Sequence, residues 1–314
     1  DFQTNPDSKD VINGVQLFNH AKSEVIVSVG GGSVIDMAKL INYYHRAGTN
    51  TIEESNVKIN NPELVTHISL PTTAGSGAEA THFAVMYIGN TKYSIAHAKL
   101  IPDYAIIDPE LHDSQTAYQK AVSGADALAQ AIESFWSVQS TEESRLYSEK
   151  ALELVWNNLP DVVHKGDKMA HLKLAIGANL AGRAINIAKT TAPHALAYGF
   201  TKYAGLPHGH AVAMTLPYFF KTNSHFNEEN CNDQRGISYI EDIFKRLTII
   251  LKTNNFELTL INYFKNIDLD IDIGKLNLTK ELVCKIVENL NSQRLANNPL
   301  KVVKINLIKF LLNF

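Results

Sequence analysis

The alternation of apolar and polar positions changes character near residue 115. Before that point, short apolar runs alternate with glycine-rich turns and with stretches of helical periodicity. "EVIVSVGGGSVIDMAKLI" passes from a β-branched strand, Val25 to Val29, through three glycines into a helix. "HISLPTTAGSGAEAT" repeats the scheme with a short strand and a loop of small and hydroxyl residues, and "YAIIDPELH" reads as a third strand ending in a turn. Strands alternating with helices predict a parallel sheet. Beyond residue 115 the pattern is helical almost throughout, as in "TAYQKAVSGADALAQAIESFW", "SRLYSEKALELVWNNL" and "AHLKLAIGANLAGRAINIA", with Pro160, Gly166 and Pro193 as punctuation. The pattern predicts an α/β domain over 1–115 and an all-helical domain over 116–314. No internal repeat or low-complexity segment interrupts it, and the Asn-rich stretch 222–234 reads as an exposed loop.

Composition narrows the classes. A chain of 314 residues exceeds one small core, and 45% hydrophobic with 19% charged residues fits a globular, water-exposed protein. The formal net charge of −3 lacks the basic excess that a nucleic-acid surface needs. Two cysteines, Cys231 and Cys284, without a CxxC, supply neither a disulfide framework nor a thiolate metal site. No apolar run reaches membrane-spanning length and no signal-like segment opens the chain, so a cytoplasmic location is the expectation.

Three patterns carry candidate chemistry. Gly31, Gly32 and Ser33 join a strand to a helix, where free N–H groups and the absence of side chains suit a phosphate; Asp36 in the first turn could cap the helix or take a ligand hydroxyl. The spacing is GGGSxxD, not GxGxxG, and a tight turn without a ligand explains the triplet alone equally well. A second loop, with Thr72, Thr73 and Ser76, changes that balance, because loops at the ends of successive parallel strands converge on one crevice. In the helical half, "GADALAQAIES" sets Asp126, Gln130 and Glu133 at spacings of four and three, while "TTAPHALAYGFTKYAGLPHGHAVAM" supplies His194, Tyr198, His208 and His210. A lone helical histidine is more often a satisfied core residue than a ligand. One Asp with two His, however, suits Fe(II), Zn or Mn with positions left open for substrate.

"GGGSVIDMAK", "LPTTAGSGAEAT", "DALAQAIES" and "PHGHAVAM" resemble the iron-containing, or group III, alcohol dehydrogenase family, and the likeness runs from "NPDSKDVINGV" to "RLANNPL". The resemblance implies NAD or NADP and a divalent metal, Fe(II) before Zn, meeting between a dinucleotide-binding α/β domain and a helical domain. It assigns Asp126, His194 and His208 as ligands and sets Gln130 where members usually carry a further histidine. Gly31, Gly32 and Ser33 fall on its pyrophosphate contacts, and Thr72, Thr73 and Ser76 on its second nucleotide loop. Lys92 matches a lysine near the nicotinamide ribose, and Tyr198 stands where many members carry a histidine implicated in proton transfer.

Members begin with a strand, a helix and a second strand before "NP", so the resemblance implies strands preceding Asp1; without them the edge of a neighbouring strand would lie open. The same segments look like the branch that reduces phosphonoacetaldehyde to 2-hydroxyethylphosphonate. There Lys189, Lys92, Thr190 and Thr191 would meet an anionic substrate, and Tyr198 and His210 would relay a proton. A neutral short-chain alcohol or diol, a dehydroquinate synthase-like cyclase, and a metal-free reductase resembling maleylacetate reductases remain open as rivals. The family also implies a homo-oligomer and, as partner, a small aldehyde or alcohol.

Overall fold

The computed structural model describes residues 6–46, 62–89 and 91–312, together with positions 2, 52 and 59. Helix α1 (Ser8–Ala21) starts where the Asp7 carboxylate accepts the Lys9 and Asp10 N–H groups at 2.8 and 3.3 Å. Strand β1 (Val25–Gly30) then runs into helix α2 (Gly32–Tyr44), whose N-terminus has Gly31 in place of a capping side chain. Strand β2 (Thr66–Pro71) pairs parallel with β1 from Val25↔Thr66 to Gly30↔Pro71. The expected third strand is short: β5, Tyr104–Ala105, pairs parallel with β2, giving the order β1-β2-β5. Between them lies an antiparallel pair that the apolar pattern did not single out, β3 (Phe83–Ile88) and β4 (Thr91–Ala96).

The sheet is covered unevenly. Ser28, His67 and Ser69 point into the protein, while Val25, Val27 and Val29 on the opposite face of β1 are 46, 58 and 52% exposed. Among the described residues, β1 lies at one edge of this sheet.

Helix α3 (Ala117–Trp136) opens the helical half with a capping box between Thr116 and Gln119. It packs against α4 (Glu142–His164), α5 (Lys168–Ala188) and α7 (His208–Asn223), and α7 packs in turn on α6 (Ala192–Ala204). The Asn-rich stretch is the connection from α7 to α8 (Ile237–Leu251). Helices α9 (Phe256–Asn266), α10 (Lys280–Glu288), α11 (Ser292–Ala296) and α12 (Lys304–Leu312) complete the chain. Among the described residues, two hydrophobic clusters result, one around α1, α2 and the β3–β4 pair, the other among the helices from α3 onward. The α/β-plus-all-α class expected from the sequence is the one observed. No helix among the described residues is long and apolar enough to cross a membrane.

Candidate metal centre

Helix α3 is buried continuously from Gly124 to Trp136, so its polar residues there need partners inside the protein. Asp126, Gln130 and Glu133 share one face. Helix α6 brings His194 and Tyr198 toward it, and α7 begins at His208. One donor atom each from Asp126, His194 and His208 lies within 4.8 Å of the other two. His194 Nε2 stands 3.3 Å from Asp126 Oδ1, and the two imidazole rings meet edge-on at 5.3 Å. Gly209 permits this approach: a Cβ there would lie 2.1 Å from the Val122 carbonyl oxygen and 3.0 Å from Asp126 Cβ.

The electrostatics favour positive charge at this point. Glu133, fully buried, takes the Thr191 N–H at 2.6 Å and the Thr191 hydroxyl at 2.9 Å on one oxygen; its other oxygen accepts from His194 Nδ1. That contact leaves Nε2 facing Asp126 and orients the ring. Burial disfavours a charged His194, but Glu133 and Asp126 outweigh it and raise its pKa to about 10. Burial pushes Asp126 upward, yet His194, His208 and Gln130 bring it below its ordinary value, so it stays a carboxylate. Burial drives His208 down to about 3 against the pull of Asp126, keeping its imidazole neutral with a lone pair to offer. Asp126 Oδ1 and Gln130 Oε1 are buried without a hydrogen-bond partner. A carboxylate with one orphaned oxygen, two imidazoles and the orphaned Gln130 amide oxygen are a donor set that suits a divalent cation.

Gln130 joins this cluster to the sheet. Its Nε2 donates to Asp126 Oδ2 at 3.2 Å and to the Ser76 carbonyl at 3.3 Å. The two glycine-bearing loops also touch: a Cβ on Gly31 would stand 3.3 Å from Thr73 Cγ2, and one on Gly32 2.6 Å from Ser76 Oγ. Thr72 N–H donates to the Gly30 carbonyl at 2.9 Å, fixing the second loop beside the first. Gly31, the first turn of α2 with Gly32 and Ser33, and the loop of Thr72, Thr73 and Ser76 therefore adjoin at the C-terminal ends of β1 and β2, next to the Asp-His-His cluster. Lys92 places Nζ 3.5 Å from the centre of the Tyr198 ring, and Tyr198 stacks on His208 at 5.3 Å.

Three residues depart from the sequence expectations. Asp36 neither caps α2 nor points out of it: its Oδ2 accepts the Val85 N–H at 2.9 Å, beside the buried Lys39. His210 faces away from the ligand set, with Nδ1 on the Tyr118 hydroxyl at 2.9 Å and Nε2 on the Asp270 carbonyl at 2.5 Å, so both nitrogens are occupied outside any relay to Tyr198. Two residues along a helix turn a side chain about 200° from its neighbour's face. The Thr191 hydroxyl is taken by Glu133 and by Trp136 Nε1, whereas Thr190 Oγ1 is buried with no partner. Two further residues show their part only in the folded chain. Glu133 shares the quoted helix face but shows its role only through His194, and Arg294 holds its Cζ 5.1 Å from the Tyr198 ring. Burial raises the Tyr198 pKa, but Arg294, Lys92 and His194 together bring it down to about 8.

Comparison with known proteins gives one answer along the chain. A family model described as iron-containing alcohol dehydrogenase matches residues 1–109, and one described as the C-terminal part of the Fe-containing alcohol dehydrogenase family matches 120–311. The chain is 32% identical over 257 residues to a phosphonoacetaldehyde reductase of Streptomyces viridochromogenes, covering 79% of this chain and 65% of the relative. Long-chain-alcohol dehydrogenase 1 of Geobacillus thermodenitrificans is 34% identical over 216 residues, which are 65% of this chain and 53% of that protein. A crystal structure of sulfoacetaldehyde reductase from Bifidobacterium kashiwanohense in complex with NAD+ superposes with a TM-score of 0.88 at 27% identity, over 100% of this chain and 82% of that one. The chain spans roughly half to two thirds of the length of these two curated relatives.

Proposed function

Because the chain belongs to the iron-containing alcohol dehydrogenase family, we propose that the protein is a metal-dependent, NAD(P)-linked oxidoreductase interconverting a short aldehyde and its alcohol. The observation that carries this reading is the gathering of Asp126, His194 and His208 within 4.8 Å, beside the two glycine-bearing loops. Held by those three residues, a divalent ion, iron(II) in first place, supplies a Lewis acid for the carbonyl oxygen, and the dinucleotide supplies the hydride. The chain's own residues do the rest. Glu133 orients His194, and Gln130 holds Asp126 against the Ser76 loop. Gly31, Gly32, Ser33, Thr72, Thr73 and Ser76 receive the dinucleotide phosphates, with Lys92 toward the ribose. The Tyr198 hydroxyl, its pKa lowered toward neutrality, exchanges the proton with the alcohol oxygen. Residues 1–115 serve the dinucleotide and 116–314 the metal.

The substrate proposed is phosphonoacetaldehyde, reduced to 2-hydroxyethylphosphonate. Lys92 and Lys189 supply positive charge around the cleft, and one relative carries that reductase's name. A neutral alcohol is the second reading, supported by the comparable identity to the long-chain-alcohol dehydrogenase.

The test is an aldehyde panel assayed with NADH and NADPH, with and without added Fe(II), on wild type and His208→Ala. The variant is expected to lose bound metal and at least about 100-fold in turnover while still binding NAD(P)H. Full turnover after exhaustive chelation, or no net NAD(P)H oxidation with any aldehyde, overturns the reading.

A further inference from the structure

We propose that Lys189, Thr190 and Arg294 form a subsite for the acidic end of the substrate, a tetrahedral phosphonate-class oxyanion, with Arg294 as the specificity-determining residue. The proposal rests on the aldehyde-reductase reading above and adds to it a recognition site and a residue that no sequence motif marks.

The first observation is charge without a counter-charge. Among the described residues, Arg46, Arg235 and Arg246 each hold a carboxylate; Arg145 and Arg183 lack one but donate to Tyr239 and Asn179, and Lys92, Lys189 and Arg294 enter no ion pair and group near the ligand set. Arg294 lies over Tyr198, whose ring stacks on His208, so its guanidinium sits one aromatic ring away from the candidate metal ligands. Lys189 reaches the same region. Its Nζ is 3.3 Å from His82 Nε2, and His82 Nδ1 lies 2.5 Å from Asn186 Oδ1. An Nδ1–H donated to Asn186 leaves Nε2 as acceptor, so His82 aims the ammonium without neutralising it. Burial lowers the Lys189 pKa, and the nearby charge of Arg294 lowers it further. Cations held together in this way repel until an anion joins them.

The second observation is the backbone of Lys189. Its φ of 62° and ψ of 172° fall in a region that glycine occupies and other residues avoid. A lysine kept there is strained, and the surrounding bonds hold it. Lys189 N–H donates to the Ile185 carbonyl at 2.9 Å. The buried Asn297 amide donates to the carbonyls on both sides, Ala188 at 2.9 Å and Thr190 at 3.1 Å. Asn297 Oδ1 meanwhile accepts the Gln139 N–H at 2.9 Å. Asn297 follows α11 directly, and Arg294 is on α11. One side chain therefore ties the Arg294 segment to the Lys189 loop.

The third observation is Thr190 Oγ1, 4% exposed as a residue and without a hydrogen-bond partner. Buried hydroxyls ordinarily find partners. A guanidinium fork, an ammonium and a hydroxyl offer donors to three oxygens, which matches a phosphonate. A carboxylate has two oxygens, and the guanidinium alone would satisfy both.

The experiment uses the full-length, Fe(II)-loaded protein, comparing phosphonoacetaldehyde with propionaldehyde and measuring binding of unreactive ethylphosphonate by calorimetry. Arg294→Met is expected to lower the anionic-to-neutral ratio of kcat/KM by about 10- to 100-fold and ethylphosphonate affinity in parallel, with Arg294→Lys restoring part of both. Lys189→Gly is expected to lower the ratio and raise Tm, because glycine relieves the backbone. An unchanged ratio in Arg294→Met, or equal ethylphosphonate affinity in wild type and variant, overturns the subsite. Turnover of propionaldehyde with no ethylphosphonate binding also overturns it and leaves the dehydrogenase reading standing. Ethylphosphonate binding that depends on Arg294, with no aldehyde turned over, supports the subsite and overturns the dehydrogenase reading.

Discussion

Glu133 meets His194 on the side away from Asp126, and through that contact a side chain with no ligand role sets which ring nitrogen is presented. The same dependence on neighbours governs His67, buried between the sheet and the helices with Ser28 Oγ 2.8 Å from its Nε2. Burial, followed by the charge of Lys39, lowers its pKa from 6.5 to about 4, with Asp103 pulling the other way. A depressed folded-state pKa contributes stability that is complete above pH 6.5 and is lost as pH falls through about 4. His67→Gln keeps a polar partner for Ser28 and does not titrate. Its unfolding free energy should therefore fall less steeply across that window, by up to about 3 kcal/mol, in urea titrations at a series of pH values. Equal slopes would remove His67 from the acid limb. Asp126, His194 and His208, far apart along the chain, were legible because each sits in a short segment, "DALAQAIES", "TTAPHALAY" or "PHGHAVAM", that resembles the family's sequences. Arg294 was not, since nothing in "RLANNPL" distinguishes it until the fold brings α11 over Tyr198. Asp36 and His210 read as functional for the converse reason: the sequence shows a polar group near a loop but not the Val85 N–H or the Asp270 carbonyl that occupies it.

Elements meet here through residues without side chains. The start of α7 lies against α3 at Gly209, and the start of that helix is what carries His208 to Asp126. Gly209→Ala would force its methyl into the Val122 carbonyl and separate the helices. The expected result is a loss of about 2 kcal/mol in stability and a fall in bound metal, measured by thermal unfolding and metal analysis; a variant with full metal content would show that the helices can shift without opening the site. Strands β1 and β2 were legible from β-branched runs ending in small-residue loops. The β3–β4 pair is less legible, although Gly89-Asn90 between two apolar runs is a turn signal, with Gly89 at φ 55° and Ile88 opposite Thr91. The third strand is shorter than its apolar run suggests: of "YAII", Tyr104 and Ala105 pair in register with β2, and Ile106 adds its N–H to the Ser69 carbonyl at 2.8 Å.

Across the whole molecule, α3 is the common wall. Asp126 faces the ligand set, Gln130 reaches the Ser76 loop, and Glu133 reaches the loop before α6, so the sheet side and the helical side are referenced to one rigid rod. The broad division was readable because it is a change of periodicity, while the contacts across it were not, being long-range bonds between residues each unremarkable alone. The valine stripe on β1 has a consequence of another kind. A parallel sheet ordinarily hides both faces, yet Val25, Val27 and Val29 meet water over about half their surface. Left bare, that strip makes the chain adhesive to itself and to other greasy surfaces. Val27→Lys, remote from the ligand-bearing helices, should reduce light scattering of concentrated solutions at unchanged metal content; undiminished scattering would mean that the molecule's stickiness, where it occurs, has its source elsewhere.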